Sequence, residues 1–156
     1  MYRLHKPNID LPNSKMIYPE SFHDRLKFIF WTFYTPYHPF FRDTFIKLGI
    51  ISHDIRQPFL LGKLSPDRTV EDFVKFLIGQ GYGNHFIAWK DKGEIVSLRN
   101  VKNFAMQYHI RIFEDGEIRG HYEYTPECHP VWHMKEIGME DRSSEFKNFL
   151  KDWLTE

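Results

Sequence analysis

The chain has 156 residues, enough for one domain with a buried core, and its 21 basic and 21 acidic residues leave no formal net charge. This balance excludes a global basic field that would draw the protein to nucleic acid or an acidic membrane, so anion binding needs a local patch. A single cysteine, Cys128, excludes an internal disulfide and is typical of a reducing compartment. Because no apolar segment reaches signal-peptide or membrane-spanning length, we expect a cytoplasmic protein with no membrane association.

The N-terminal region predicts an extended arm followed by a helix. Residues 1–19 carry three prolines and little periodicity, which predicts an arm ahead of a single α+β domain at 20–156. Ser21 and Asp24 have the spacing of a capping box, so a helix should begin there. The apolar positions of this helix at helical spacing, which we expect to face the core, are Phe22, Leu26, Ile29, Phe30 and Phe33.

Two further aromatic residues of the first helix, Phe28 and Trp31, fall outside that apolar stripe. A helix that is apolar over more than half of its circumference is either sandwiched within the domain or meets a partner. We therefore expect core packing or a homodimer through Phe28 and Trp31. Prolines at 36 and 39 should end this helix, and residues 40–48 predict a second one.

The rest of the chain predicts an antiparallel sheet packed with helices. Its expected elements, in order, are a strand at 58–64, a helix at 67–79, a hairpin at 85–99 with its loop at 91–93, a hairpin at 106–124, a short helix at 130–137 and a last helix at 141–154. Two consecutive hairpins and one further strand give an α+β fold. Its sheet has about five strands, backed by the 67–79 and 141–154 helices and joined by the N-terminal aromatic helical pair.

The second hairpin has a register that can be inferred from its side chains. A two-residue turn at Asp115-Gly116 would leave both faces mixed, whereas a three-residue loop at 114–116 with Gly116 in the left-handed region sorts them. One face then carries apolar residues, and the other carries Gln107, His109 and Arg111 opposite Glu123, His121 and Arg119. Like charges that face each other destabilise a sheet unless something anionic lies between them, so this face is the first candidate site.

The polar face suggests two kinds of function beside a plain solvated face. Arg111, Arg119 and Gln107 could bind an anionic ligand, since arginine pairs bidentately with phosphate. Alternatively, His109 and His121 could act as acid and base in a metal-independent nuclease or phosphodiesterase, with Glu123 orienting a histidine or acting as the base.

A second candidate site combines Cys128, His129 and His133, which are all zinc-ligand types. A metal there would need His109 or His121 as a fourth ligand across space, so a capping histidine and a buried cysteine are the preferred interpretation, and we expect no metal or other cofactor.

The sequence as a whole favours a small cytosolic binding or regulatory domain that is not identified as an enzyme. Its expected partner is a phosphate-bearing small molecule or RNA on the polar face. The alternatives are the histidine-based nuclease and a protein-interaction module that works through the aromatic N-terminal helix.

Overall fold

The computed structural model describes residues 11–51, 59–85 and 93–155. The helices in these ranges are α1 (Phe22–Tyr34), α2 (His38–Lys47), α3 (Val70–Gly79), α4 (Pro130–Met134) and α5 (Ser143–Leu150). The strands are β1 (Leu60–Leu64), β2 (Glu94–Val101), β3 (Met106–Phe113), β4 (Glu117–Tyr124) and β5 (Leu154–Thr155). They form one antiparallel sheet in the order β2-β3-β4-β1-β5, which confirms the predicted α+β fold and five-stranded sheet. No helix of the described ranges is both long and apolar enough to cross a membrane.

The β3–β4 hairpin has the register inferred from the sequence. His109 lies opposite His121, Arg111 lies opposite Arg119, and Gly116 has a φ of +81°, as the three-residue loop requires. Because side chains alternate along a strand, this register places every predicted site residue of the hairpin on one face of the sheet.

The opposite face of the sheet forms the hydrophobic core with α3 and α5. Thr69 caps α3 by accepting a hydrogen bond from the Asp72 backbone N–H, as its position in the sequence suggests. The buried core residues are Leu61, Phe73, Val74, Leu77, Tyr82, Val96, Leu98, Ile110, Ile112, Ile118, Phe146 and Leu150. The predicted backing of the sheet by these two helices is therefore confirmed.

Helix α1 begins at the predicted cap but is oriented opposite to our expectation. The Ser21 hydroxyl accepts a hydrogen bond from the Asp24 backbone N–H at 3.1 Å. Trp31 is only 2% exposed, because its ring packs against those of Tyr34, His38 and His85. The apolar stripe predicted to be core faces solvent instead. Both the expected burial of that stripe and the placement of Trp31 on a partner surface are thus wrong.

The C-terminal elements are shorter than predicted. The chain leaves α5 after Leu150, and Leu154 pairs with Leu64 as part of β5. Trp153, which falls within the helix predicted at 141–154, stacks on Phe76 of α3 with ring centroids 5.1 Å apart. Pairing with β1, which makes β5 an edge strand of the sheet, thus replaces the predicted helix at 151–154. Likewise, α4 ends at Met134 and not at residue 137.

Parts of two predictions lie outside the described residues. These are the first strand of the hairpin at 85–99, which falls on residues 86–92, and the start of the strand at 58–64. The predicted arm is described from residue 11 onwards, where it has no helix. There Asn13 forms a bridge with Asn84, and the Ser14 backbone N–H donates to the Asn84 carbonyl at 2.8 Å.

Candidate functional site

The polar face of the sheet is largely covered. His121 is fully buried and Glu123 is 2% exposed, and Gln107 and Arg111 are buried beside them. Helix α4 lies on this side, since the His133 Nδ1 atom is 3.3 Å from a Glu123 carboxylate oxygen. The interpretation of this face as a solvated surface is therefore wrong, and its charged groups must be balanced within the protein.

Glu123 lies at the centre of a histidine cluster. One of its carboxylate oxygens is 3.0 Å from His109 Nδ1, and the other is 3.2 Å from His121 Nε2. The Gln107 side-chain amide donates a hydrogen bond to the first oxygen at 2.9 Å. On the far side of the imidazole, His109 Nε2 lies 2.6 Å from the Ser97 hydroxyl oxygen, so the ring is held from both sides.

The two facing histidines lack hydrogen bonds at the atoms that point into the cluster. Neither nitrogen of His121, nor Nδ1 of His109, has a hydrogen-bond partner of correct geometry among the described residues. The His109 and His121 contacts with Glu123 therefore have the distance of a hydrogen bond without its direction. A buried imidazole without a hydrogen bond is uncommon in proteins and calls for an explanation, such as an ion.

His133 takes a different part in the cluster. Its Nδ1 lies 3.0 Å from the Tyr124 carbonyl oxygen, which can only accept, so this nitrogen carries a hydrogen. His133 therefore faces Glu123 with an N–H group and not with a lone pair. Burial disfavours its charged form, but the neighbouring Glu123 carboxylate more than offsets this and raises the pKa of His133.

The protonation states in the cluster suit metal ligands. Burial lowers the pKa of His109 to about 3, although Glu123 opposes the shift, so this imidazole is neutral near pH 7. Burial would raise the pKa of Glu123, but His133 and His121 outweigh it and hold that pKa well below its usual value. A neutral imidazole and an ionised carboxylate are the forms that bind metal ions.

The predicted anion-binding arginines have carboxylate partners within the chain. Arg111 lies 3.3 Å from Glu94, which is fully buried, and Arg119 donates two hydrogen bonds to Glu117, at 2.9 and 3.0 Å. The facing arginines led us to expect an anionic ligand between them. Glu94 and Glu117 supply that negative charge instead.

A second ion network lies beside the cluster. Arg99 forms a bidentate pair with Glu127 at 2.9 and 3.0 Å, and also donates to Gln107 and to the Ser14 hydroxyl of the arm. His85 Nε2 lies 3.3 Å from the same carboxylate. Gln107 thus connects the Arg99–Glu127 pair with the Glu123 cluster.

The residues of the second candidate site are not brought together. Cys128 is buried beside the Lys27 ammonium at 3.6 Å, and the His129 ring stacks on Trp132. Only His133 reaches the Glu123 cluster. The sequence analysis also missed Ser97, Glu94 and Glu127 as partners of the site. The alternation of β2 places Ser97 and Arg99 on one face, but only the β2–β3 pairing brings that face beside His109.

Comparisons of the chain with protein-family models, with curated proteins and with solved structures gave no significant match.

Proposed function

We propose that this protein is a metal-binding domain that holds one divalent transition-metal ion between His109, His121 and Glu123. The observation that carries the proposal is the convergence of two imidazole nitrogens and one carboxylate oxygen, all within 4.8 Å of one another. Imidazole ligands suit zinc, copper, nickel and ferrous iron, and two histidines with one carboxylate form a familiar ligand set for such ions. Three protein ligands leave a coordination position for water or a small ligand.

The charge of the cluster supports a bound cation. Glu94, Glu117 and Glu127 each lie within salt-bridge distance of an arginine. Glu123 has no arginine or lysine at that distance among the described residues, and its neighbours there are histidines and Gln107. A buried carboxylate without an arginine or lysine partner is costly, and a divalent ion would add positive charge beside that favoured on His133.

The surroundings of the cluster also resemble those of metal ligands. Protein-bound metals are typically held by histidines whose second nitrogen donates to an oxygen, which fixes the ring and its tautomer. The Ser97 hydroxyl lies where it can accept such a bond from His109 Nε2, which would leave Nδ1 unprotonated at 3.0 Å from Glu123. Gln107 donates a hydrogen bond to Glu123 and so helps to fix the orientation of this carboxylate.

The phosphate-bearing ligand and the histidine-based nuclease stay predictions, but the structure gives them less support. A phosphate would have to compete with Glu94 and Glu117 for the arginines. The proposed acid and base, His109 and His121, are 12% and 0% exposed at their side chains, so RNA would need the covering segments to move before it could reach them.

The proposal can be tested by titrating the chelator-treated, metal-free protein with Zn²⁺ in a calorimeter. We expect one site per chain in the wild type and an affinity at least about tenfold lower in Glu123→Gln, which keeps the shape of the side chain but removes its charge. Glu117→Gln is the control, since Glu117 lies on the same strand as Glu123 but is bonded to Arg119 outside the cluster.

His109→Gln provides a second ligand variant, and circular dichroism establishes that each protein is folded. Equal zinc affinity in the wild type, Glu123→Gln and His109→Gln would contradict the proposal, because the zinc would then be bound elsewhere, for example by exposed histidines. Absence of a stoichiometric site in the folded wild type would contradict it as well.

A further inference from the structure

Several large apolar side chains of the N-terminal helices are exposed. We call the surface that they form the aromatic face, and its members, each between 51% and 78% exposed, are Phe22, Leu26, Ile29, Phe30, Phe33, Tyr37 and Phe40. Five of them follow one side of α1 at helical spacing, so they form a stripe along a helix of about 20 Å. Helix α1 is amphipathic, but its apolar side faces away from the protein.

Ring contacts make this surface continuous from one helix to the next. Phe30 stacks on Tyr34 with centroids 5.7 Å apart, Tyr34 stacks on Phe41 at 5.4 Å, and Phe41 contacts Phe40 at 5.7 Å. These contacts restrict the rings of Phe30 and Phe40, so these two members of the aromatic face would lose less side-chain entropy on binding.

From this surface we infer that the protein forms a two-fold symmetric homodimer through the aromatic face. The exposed parts of five aromatic and two aliphatic side chains amount to an apolar area on the order of 800 Å², the contribution of each partner to an interface of standard size. That area exceeds the largest apolar patch of a typical monomer, roughly 300–600 Å². Burial of this area in a dimer would also reduce the tendency to aggregate that an exposed apolar patch confers.

A second copy fits this surface better than a membrane or a charged partner. The sequence has no Asp, Glu, Lys or Arg between Lys27 and Arg42, which matches the charge-depleted centre of a homodimer interface. A membrane-bound helix typically carries several lysines or arginines beside its apolar side, whereas α1 has only Arg25 and Lys27, and Lys27 pairs with Asp24. An uncharged helix stripe can pack antiparallel against its own copy without a complementary charge pattern.

The test is sedimentation equilibrium of the full chain over a wide concentration range, comparing the wild type with Phe33→Lys. Phe33 is 73% exposed, so the change removes no core contact, and a positive charge in the last turn of α1 is compatible with the helix dipole. Ile137→Lys is the matched control, because Ile137 is also an exposed apolar residue but lies outside the aromatic face. All three proteins are measured with and without Zn²⁺, which separates this association from one driven by metal.

We expect the wild type and Ile137→Lys to be dimers, and the dissociation constant of Phe33→Lys to be at least about tenfold higher, as for an interface hot spot. A wild type that stays monomeric at all concentrations would overturn the inference. So would a dimer that Phe33→Lys leaves unchanged, or a monomer that binds phosphatidylcholine–phosphatidylserine vesicles through this face. None of these results depends on whether the Glu123 cluster binds a metal.

Discussion

His109 and His121 face each other across β3 and β4, with ring centroids 5.1 Å apart and ring planes at 75°. This arrangement depends on the three-residue loop at 114–116, because a register shifted by one residue would send the two side chains to opposite faces. With Glu123 beside both rings, two imidazole nitrogens and one carboxylate oxygen converge in a covered part of the molecule. The predictions below follow from that convergence and from the packing around it.

The Ser97 hydroxyl should matter for metal affinity although it is not a ligand. Ser97→Ala removes the oxygen that lies 2.6 Å from His109 Nε2 and leaves the three ligands in place. We expect zinc affinity to fall by about 10–100-fold, the usual effect of losing such a partner. Ser14→Ala, which removes a hydroxyl bonded to Arg99 and outside the cluster, should bind zinc as the wild type does. Equal affinities in the two variants would show that Ser97 does not orient the ring.

Trp31 should be a main contributor to the stability of the N-terminal helices. Trp31→Ala removes a ring that is 2% exposed, so we expect the free energy of unfolding to fall by about 3–5 kcal/mol. Trp132→Ala removes the same side chain from an exposed position on α4 and should cost less than half as much. Urea denaturation of both variants measures the difference. Equal costs would contradict the orientation of α1 described above.

His38 should make the protein less stable in mild acid. Burial lowers its pKa to about 3, with His133, Arg42 and His85 adding to the shift, whereas an unfolded histidine titrates near 6.5. The unfolded state therefore binds the extra proton first, so this stability is complete above about pH 6.5 and is lost as the pH falls towards 3. The slope should approach about 1.4 kcal/mol per pH unit within that window.

His38→Phe keeps a ring between Trp31 and Tyr34 but cannot be protonated. Urea midpoints at pH 7, 6, 5 and 4 should therefore fall less steeply in this variant than in the wild type. Parallel pH profiles for the two proteins would show that His38 is not the group responsible.

The buried pair of Arg99 and Glu127 should be far more important for folding than the pair of Arg119 and Glu117. Arg99→Leu leaves a buried carboxylate without its bidentate partner, at an expected cost of about 3–5 kcal/mol. Arg119→Leu breaks a pair that solvent partly reaches and should cost about 1 kcal/mol or less. Denaturant unfolding of the two variants at pH 7 provides the comparison, and a larger loss in Arg119→Leu would contradict it.

The local parts of the fold could be predicted from the sequence because short-range rules decide them. Capping residues determine where α1 and α3 begin, and period-two alternation with Gly116 determines the register of the hairpin. The same alternation cannot show whether a polar face is wet or covered, since both have the same pattern. The element shown to cover this face, α4 with His133, comes from a segment that local patterns do not place there.

The orientation of α1 illustrates why the remaining features could not be predicted. Its stripe from Phe22 to Phe33 is the stronger amphipathic signal, and helical spacing alone assigned it to the core. A single off-stripe residue, Trp31, decides the orientation because its ring meets those of His38 and His85. The proposed metal site was missed for a similar reason. His109, His121 and Glu123 were grouped on one face as an acid–base set, but their burial and close approach, which favour a metal ion, depend on distant segments that cover the face.

The most direct test of the central claim is anomalous diffraction from a crystal of the full chain grown with Zn²⁺ and measured on both sides of the zinc edge. The account predicts one strong peak per chain between His109, His121 and Glu123, at about 2.0–2.2 Å from their ligand atoms. A cluster without a peak, in crystals where zinc is bound only by exposed histidines such as His23, would contradict it.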